Sequence, residues 1–530
     1  MATIAGPVRH FDRPHRPLPL RAANGVGPLV QRLRPSLLSL DPAELEETAR
    51  QGTGLDDLGG VAHRPGLQAL AASLQSEARL TPAGRYFARG QMLNSLVNRL
   101  RLEQTWAQTP AILHGALPAP IVIIGLPRTG TTLLQHLLAQ DPAHRVLRNW
   151  EATSPAPPPR PGDDDDPRIA ASERGMKLLD YLAPDARALH PVAPTLPTEC
   201  VTLFSNSCAS LELATINFIP SYLRFCLETD MAPHYDYFRR QLLTLQWHDP
   251  RERWLLKSPA HLFWVGELLD ALPGARVVQT HRDPLDVLAS FCSLSAVLCG
   301  IGSDHVDQQA LGELWAPVWA EGLERTRAVR AARPDDRFVD VDYPDLIGDP
   351  LGTVRRIYAG FDLELTSVAE AGMQRYLDEH PQHGAGVHRY TLEQFGLDRA
   401  TEAARFAHLA ARTDARRRPP RRDPIGVRRT RSARSDARIT PRRPTDRPRR
   451  STGTARASTS DRLGWARPEV PKRGRAVTQT ANFTTMRDRD RSVRPRTETA
   501  KSRRTWLSSR SLSAIWPPAP TVHALDMHSH

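Results

Sequence analysis

The sequence predicts an α/β fold: a parallel sheet flanked by helices, with a helical lead-in before it and a basic, disordered tail after it. Three observations carry this prediction. Ile121-Val122-Ile123-Ile124 is a run of four β-branched apolar residues, the composition of a strand buried on both faces. A loop bracketed by Gly125 and Gly130 follows, then a helix with Leu133, Leu134, Leu137 and Leu138 on one face. From Trp254 to Ser290 the pattern strand, helix, strand, helix recurs, as a parallel sheet with right-handed crossovers requires.

Taken in order, residues 1–40 are expected to be mostly unstructured, since the first 22 are rich in Pro, Arg and His. Residues 41–110 read as the helical lead-in. Asp41 is placed to cap a helix with Pro42 at its first position and Glu44 at its third, and 63–106 is mostly helical with Leu67, Leu70, Leu74, Leu80, Leu93, Leu96 and Leu100 as core candidates. The main domain spans 111–400. After the first strand, loop and helix come Asn149 to Thr153, a Pro-rich turn over 155–161, and the acidic run Asp163 to Asp166, read as a solvated loop. Residues 168–247 are helical around an irregular stretch from Pro191 to Glu199, on the substrate-binding side. Trp254-Leu255-Leu256 is a strand ending at Lys257-Ser258-Pro259, and His261 to Leu272 a helix. Ala275 to Thr280 is the next strand, closed by His281-Arg282. Asp283 and Pro284 then open a helix running through Ser290. Phe338 to Tyr343 is a further strand, a helix covers about 351–360, and 383–390 is a polar, Gly-containing loop suited to folding over a bound nucleotide.

Net charge is +13, but the excess is local. Residues 401–530 hold 32 Lys and Arg against 11 Asp and Glu, while 1–400 hold 39 against 47. From 411 onward arginine dominates among Pro, Ser and Thr and hydrophobic periodicity is lost, so the segment cannot bury enough apolar surface to order itself. Three readings stand for it: a frameshifted stretch of a GC-rich gene, a disordered appendage, or a nucleic-acid-binding tail. Elsewhere nothing suggests nucleic acid. The five cysteines show no metal-ligand spacing and fit free buried thiols in a reducing compartment. Met1 to Leu20 lacks the apolar core of a signal peptide, and no stretch of about 18 apolar residues offers a membrane span, so a cytoplasmic protein is expected.

The loop after the first strand is the chemical centre. A loop entering a helix aims backbone N–H groups and the positive dipole end at one spot, which binds phosphate or a similar anion. It nearly matches G-x-x-x-x-G-K-[ST], but Thr131 stands where the lysine belongs and the cation sits within the loop as Arg128. A kinase needs that lysine and a magnesium ligand. This loop suits a terminal group of lower charge with no required metal. Lys257 and Arg282 also lie just past strand ends, where ligands of parallel sheets collect, so they can converge on it.

At Pro127 to Thr132 the sequence resembles the sulfotransferases that use 3′-phosphoadenosine 5′-phosphosulfate (PAPS), whose loop reads P-[KR]-[ST]-G-[ST]-[ST]. It is similar in particular to bacterial sulfotransferase-family proteins with arginine in the loop, which are related to tyrosylprotein sulfotransferases. The resemblance covers about 40 to 400 and implies a P-loop-like nucleotide-binding fold. It implies that Arg128, Thr129, Gly130, Thr131 and Thr132 hold the 5′-phosphosulfate. It also implies that Arg282 and Ser290, eight residues apart, hold the 3′-phosphate, that Tyr343 touches the nucleotide, and that His388 and Arg389 add phosphate contacts. Glu151 is the implied base, with His136 and His281 as alternatives, and Lys257 with Arg128 the implied stabilising cations. A carboxylate beside an incoming hydroxyl and near bound anions is expected to have a raised pKa. The expected acceptor is a hydroxyl on a carbohydrate, lipid or other small molecule, with a protein tyrosine as the alternative. Two competing readings are an ATP- and magnesium-dependent kinase and a non-catalytic protein binding nucleotide or nucleic acid.

Overall fold

The computed structural model describes residues 14–162, 165–184, 193–333, 335–380 and 390–415. The readings of the 383–389 loop, with His388 and Arg389, and of the tail beyond 415 lie outside these residues, as do Asp163 and Asp164. Five strands form one parallel sheet: β1 (Ile121–Gly125), β2 (His144–Val146), β3 (Arg253–Lys257), β4 (Arg276–His281) and β5 (Phe338–Asp342). Their spatial order is β2-β3-β1-β4-β5. β1 is central, with Ile123 in register with Lys257 on one side and Val278 on the other. The chain builds β2 and β3 on one side of β1, then crosses to β4 and β5. The carboxyl end of β1 is therefore where the connections part and a crevice opens.

The period-2 alternation of β1 divides the core. Ile121 and Ile123 face one cluster with Leu134 and Leu137 of helix α5 (Thr131–Leu138) and with Val354 and Ile357. Val122 and Ile124 face the other, larger cluster, which contains Leu96, Leu256, Leu288 and Trp315. All four β1 side chains are fully buried, each worth roughly 1.5–3 kcal/mol of burial free energy.

The lead-in belongs to this larger core. It comprises α2 (Pro42–Thr53), α3 (Arg64–Ser76) and the long α4 (Pro82–Gln108), and α1 (Leu18–Leu33) precedes it and packs on α4. Asp41 caps α2 as expected, accepting from the Glu44 N–H at 2.9 Å. After α5 follow α6 (Asn149–Thr153), α7 (Pro167–Leu182), α8 (Val201–Ser205), α9 (Leu211–Ile216), α10 (Pro220–Glu228) and α11 (Ala232–Gln246). α12 (Val265–Ala271) lies between β3 and β4. α13 (Pro284–Gly302) and α14 (Gln308–Ala332) follow β4. The last helices are α15 (Tyr343–Gly348), α16 (Pro350–Gly360), α17 (Ser367–Glu379) and α18 (Arg399–Ala415).

Four features differ from the sequence reading. Leu18–Leu33 is helical although 1–40 was expected to lack regular structure, because Leu20, Ala23 and Gly27 are buried in tertiary contacts that override two prolines. β2 went unread because His144 and Arg145 look like surface residues, yet both are buried. His261 to Leu272 is a 3-10 turn (Pro259–Phe263) followed by α12, not one helix. Finally, α13 is long and apolar enough to cross a membrane, contrary to the expectation that no stretch is; 67% of that stretch is buried in the protein, where it packs on α4, α9 and α14.

All five cysteines are free and buried, and burial pushes each thiol up to about 12. Thiolate is the reactive form. Iodoacetamide at mildly alkaline pH is therefore expected to modify none of the five in the native chain and all five after unfolding, read by mass spectrometry. A cysteine labelled in the native chain would contradict this packing.

Candidate functional site

At the end of β1 the chain turns under unusual backbone constraint. Gly125 has φ +144, and a Cβ there would stand 2.2 Å from the Thr280 hydroxyl. Arg128 has φ +66, a left-handed conformation that costs a non-glycine residue about 1–3 kcal/mol and collects at functional sites. Gly130 has φ +85, and a Cβ on it would press on Leu346 and Tyr343 of α15. Thr129 is completely buried. Its hydroxyl donates to the Leu126 carbonyl at 2.6 Å and meets the Thr280 hydroxyl at 2.6 Å. The Thr129 side chain, expected to touch a ligand, is instead the strut under the loop, so only its backbone remains for binding. α5 begins with Gly130 as N-cap and no side chain capping it, while Thr131 and Thr132 line a cavity at that terminus. Its first N–H groups therefore face the space where an anion is favoured.

Around this loop the structure gathers residues distant in sequence. Arg128 donates from Nε to the Ser290 hydroxyl at 3.1 Å. Arg282 donates from Nη1 to the Arg128 carbonyl at 3.1 Å. The Arg282 guanidinium also lies 4.4 Å from the centre of the Tyr343 ring. The predicted set Arg128, Gly130, Arg282, Ser290 and Tyr343 is thus one connected cluster. Asp286 stands 3.7 Å from Arg282 and offsets part of its charge.

The expected base lies elsewhere. Glu151 is fully buried and does not line the cavity. Arg145 Nη1 donates to one of its oxygens at 3.1 Å, Arg148 Nη2 to the other at 2.6 Å, and the Arg148 backbone N–H to the first at 3.0 Å. Burial alone would push the carboxyl up, but the two guanidiniums outweigh it and hold Glu151 below the usual carboxylate range. The expected raised pKa is therefore corrected: Glu151 joins β2 to α6. The alternative bases are also occupied. His136 Nδ1 is 2.8 Å from the Tyr376 hydroxyl. His281 Nε2 is 2.7 Å from Asp340, which Arg330 also holds.

Lys257, the last residue of β3, is buried and, like Glu151, does not itself line the cavity; it reaches the site through Nζ, which donates to Glu199 Oε1 at 2.7 Å. Glu199 does line the cavity. So does Glu212, which accepts from Thr202 at 3.3 Å and Ser205 at 3.2 Å. Burial deep in the cavity wall raises Glu212 to about 6 despite those hydroxyls. Sequence reasoning missed both carboxylates because they sit in short helices and an irregular connection. The available signal was Thr198-Glu199 closing the Pro-rich stretch. Gln135 of α5 fixes that segment by donating to the Thr198 carbonyl at 3.1 Å.

The cavity itself measures about 2390 Å³. Its loop end carries Arg128, Thr131, Thr132, Arg282 and Tyr343. Away from the loop along α13 it is lined by apolar side chains that cluster together, among them Phe87, Leu179, Leu182, Leu294, Leu298 and Ile301, with charged groups such as Arg101 and Arg168 elsewhere in the lining. Among the described residues no group of three or more His, Cys, Asp or Glu side chains is placed to hold a metal ion.

Comparison with known proteins agrees with this geometry. The family model described as "Sulfotransferase family" matches residues 120–367. The omega-hydroxy-beta-dihydromenaquinone-9 sulfotransferase Stf3 of Mycobacterium bovis (strain ATCC BAA-935 / AF2122/97) is 26% identical over 285 residues, 52% of this chain and 71% of that protein. The crystal structure of sulfotransferase STF1 from Mycobacterium tuberculosis H37Rv is 34% identical with a TM-score of 0.63, covering 69% of this chain and 98% of that one. The crystal structure of STF9 from Mycobacterium avium is 30% identical with a TM-score of 0.65, covering 71% and 97%. The chain belongs to the sulfotransferase family and is a sulfuryl-transferring enzyme, with PAPS as the family's general co-substrate. The kinase and non-catalytic readings fall with this.

The Glu151 ion pairs yield a pH prediction. A folded-state pKa below the unfolded value contributes stability above the unfolded pKa, and that stability is lost as pH falls through the folded one. Glu151→Gln is expected to lower stability at neutral pH by about 3–5 kcal/mol, the usual effect of breaking a buried pair. It should also flatten the acid limb of the stability curve. Urea unfolding across pH reads both. Unchanged stability with collapsed turnover would instead restore Glu151 as the base.

Proposed function

We propose that this sulfotransferase transfers the sulfuryl group of PAPS to the hydroxyl of an apolar, lipid-like acceptor, with Glu199 as the base and Lys257 as the stabilising cation. The observation that carries the acceptor class is the cavity, whose lining joins the anion loop to the apolar stretch along α13. The name of the Stf3 relative, an enzyme acting on a hydroxylated dihydromenaquinone, supports the same class.

The donor's 5′-phosphosulfate sits at the N-terminus of α5, met by backbone N–H groups, the Thr131 and Thr132 hydroxyls and the Arg128 guanidinium. Arg282 and Ser290 take the 3′-phosphate, and Tyr343 borders the nucleotide. Two arginines and a helix terminus answer the negative charge without a metal in the scheme. The apolar wall excludes water, which strengthens each of these interactions.

At the sulfuryl end, the acceptor hydroxyl gives its proton to the Glu199 carboxylate as its oxygen forms the new O–S bond. The S–O bond to the donor phosphate breaks, and 3′-phosphoadenosine 5′-phosphate leaves. Lys257 starts paired with Glu199 at 2.7 Å. Negative charge gathering on the transferring group competes for its ammonium, which frees the carboxylate to accept the proton. Glu199 is favoured over Glu212 by position, because Lys257 and Gln135 tie its segment to β3 and to the anion-loop helix. Geometry precedes pKa in choosing a base.

Two measurements test this. Glu199→Gln is expected to lower kcat by about 10²–10⁴-fold, the range of general-base catalysis, with KM for PAPS little changed. Glu212→Gln should act mainly on acceptor KM, and the reverse pattern would move the base to Glu212. In a thermal-shift assay, 3′-phosphoadenosine 5′-phosphate should raise Tm and ADP with magnesium should not, since only a ligand of the folded form stabilises it. Arg282→Ala should abolish the shift. A shift with ADP and magnesium alone would overturn the donor assignment.

A further inference from the structure

The helix α1 presents an apolar stripe that nothing in the described chain covers. Leu18, Ala22, Val26, Leu29 and Leu33 follow one another at spacings of three and four residues, so they share one face. All five are exposed: Leu18 at 79%, Leu33 at 69% and Leu29 at 59%. The opposite face holds the buried Leu20, Ala23 and Gly27 and packs on α4. The stripe is therefore additional to what folding requires. Contiguous exposed apolar surface marks a docking site for protein or membrane.

The charge around it selects between these partners. Residues 14–40 contain Arg16, Arg21, Arg32 and Arg34 and no Asp or Glu. Arg21, Arg32 and Arg34 are exposed, and Arg21 and Arg32 both run along one edge of the stripe. Arg16 pairs with Asp304 at 2.6 Å, removing a carboxylate from the same surface. An apolar stripe whose helix carries arginine as its only charged residue type is the composition of a helix lying in the interface of a bilayer that carries anionic lipid. A second copy of the same basic face would meet it with like charge.

The position of α1 gives this a purpose. Leu20 packs with Ala83, Phe87, Leu182 and Ile301, and Phe87, Leu182 and Ile301 also line the apolar stretch of the cavity. One layer of side chains separates the exposed stripe from the acceptor space. One turn back from Leu182 on α7, Leu178 lines the cavity and is itself 42% exposed, and Tyr181 is 48% exposed. We infer that α1 with the end of α7 docks on an anionic bilayer surface, so that the apolar stretch of the cavity opens toward lipid and the acceptor enters from the membrane. The entry route rests on the lipid-like acceptor proposed above; the docking does not.

The test compares the full wild-type chain with Leu18→Glu/Leu29→Glu/Leu33→Glu in sedimentation with phosphatidylcholine vesicles containing phosphatidylglycerol. The basic segment 401–530 is attracted to such vesicles by charge alone, so the decisive reading is in molar salt, where that attraction is screened. The wild type is expected to stay vesicle-bound there, and the variant to bind about tenfold or more weakly. A thermal shift with 3′-phosphoadenosine 5′-phosphate checks that the variant is folded; a milder Leu29→Ser/Leu33→Ser variant serves if it is not. Equal binding of variant and wild type, or a wild-type dimer that the substitutions convert to a monomer in light scattering, would overturn the docking. Turnover of a detergent-dispersed long-chain alcohol separates the two ideas. It persists in the variant if only docking has failed, and is absent in both chains if the acceptor class is wrong.

Discussion

The hydroxyls of Thr129 and Thr280 meet 2.6 Å apart beneath the turn at the end of β1, and the groups above them are positioned by that contact. The turn carries a left-handed arginine that an isolated peptide would not hold. The strut, together with the tight approach of Gly125 to β4 and of Gly130 to α15, over-determines the backbone and keeps it there. Once the Arg128 backbone is set, its carbonyl receives Arg282 and its side chain reaches Ser290. Residues of the loop after β1, the turn after β4 and helix α13 thus acquire fixed relations through Arg128. The sheet supplies the rigidity, since β1 is buried on both faces and paired on both edges.

Much of this was legible because it depends on local chemistry. Four β-branched residues before a glycine define a central strand with little competition from other states. The anion loop has a composition that turn-forming alone does not explain. Asp41 and Asp283 cap helices where a cap was expected because capping involves only the next three residues. Arg282 and Ser290 are eight residues apart across one helix start, so their association with the loop followed from strand order and family likeness together.

What escaped the sequence depends on partners far along the chain. Glu199 acquires its place from Lys257, 58 residues on, and from Gln135. Glu151 is the instructive case: Arg145 and Arg148 stand six and three residues before it, so the sequence already held the means to neutralise it. The expectation of a raised pKa weighed an incoming hydroxyl and bound anions and left out two adjacent guanidiniums. β2 was missed for a similar reason, because Arg145 is made buriable by Glu151 and His144 by the Leu138 carbonyl at 2.7 Å. α1 was missed because its prolines outweigh its apolar residues until α4 is present to receive Leu20 and Ala23.

The Arg128–Ser290–Arg282 arrangement has a kinetic corollary. In the proposed scheme its Arg282 and Ser290 grip the 3′-phosphate, the end of the donor that the reaction leaves unaltered. Such a grip does not distinguish charged carrier from spent carrier: sulfuryl transfer removes one terminal group and leaves the 3′-phosphate unchanged. The enzyme thus holds its product by nearly the same contacts that recruit its substrate. On that scheme the spent nucleotide competes with fresh donor for the same grip, so inhibition by product is built into the site.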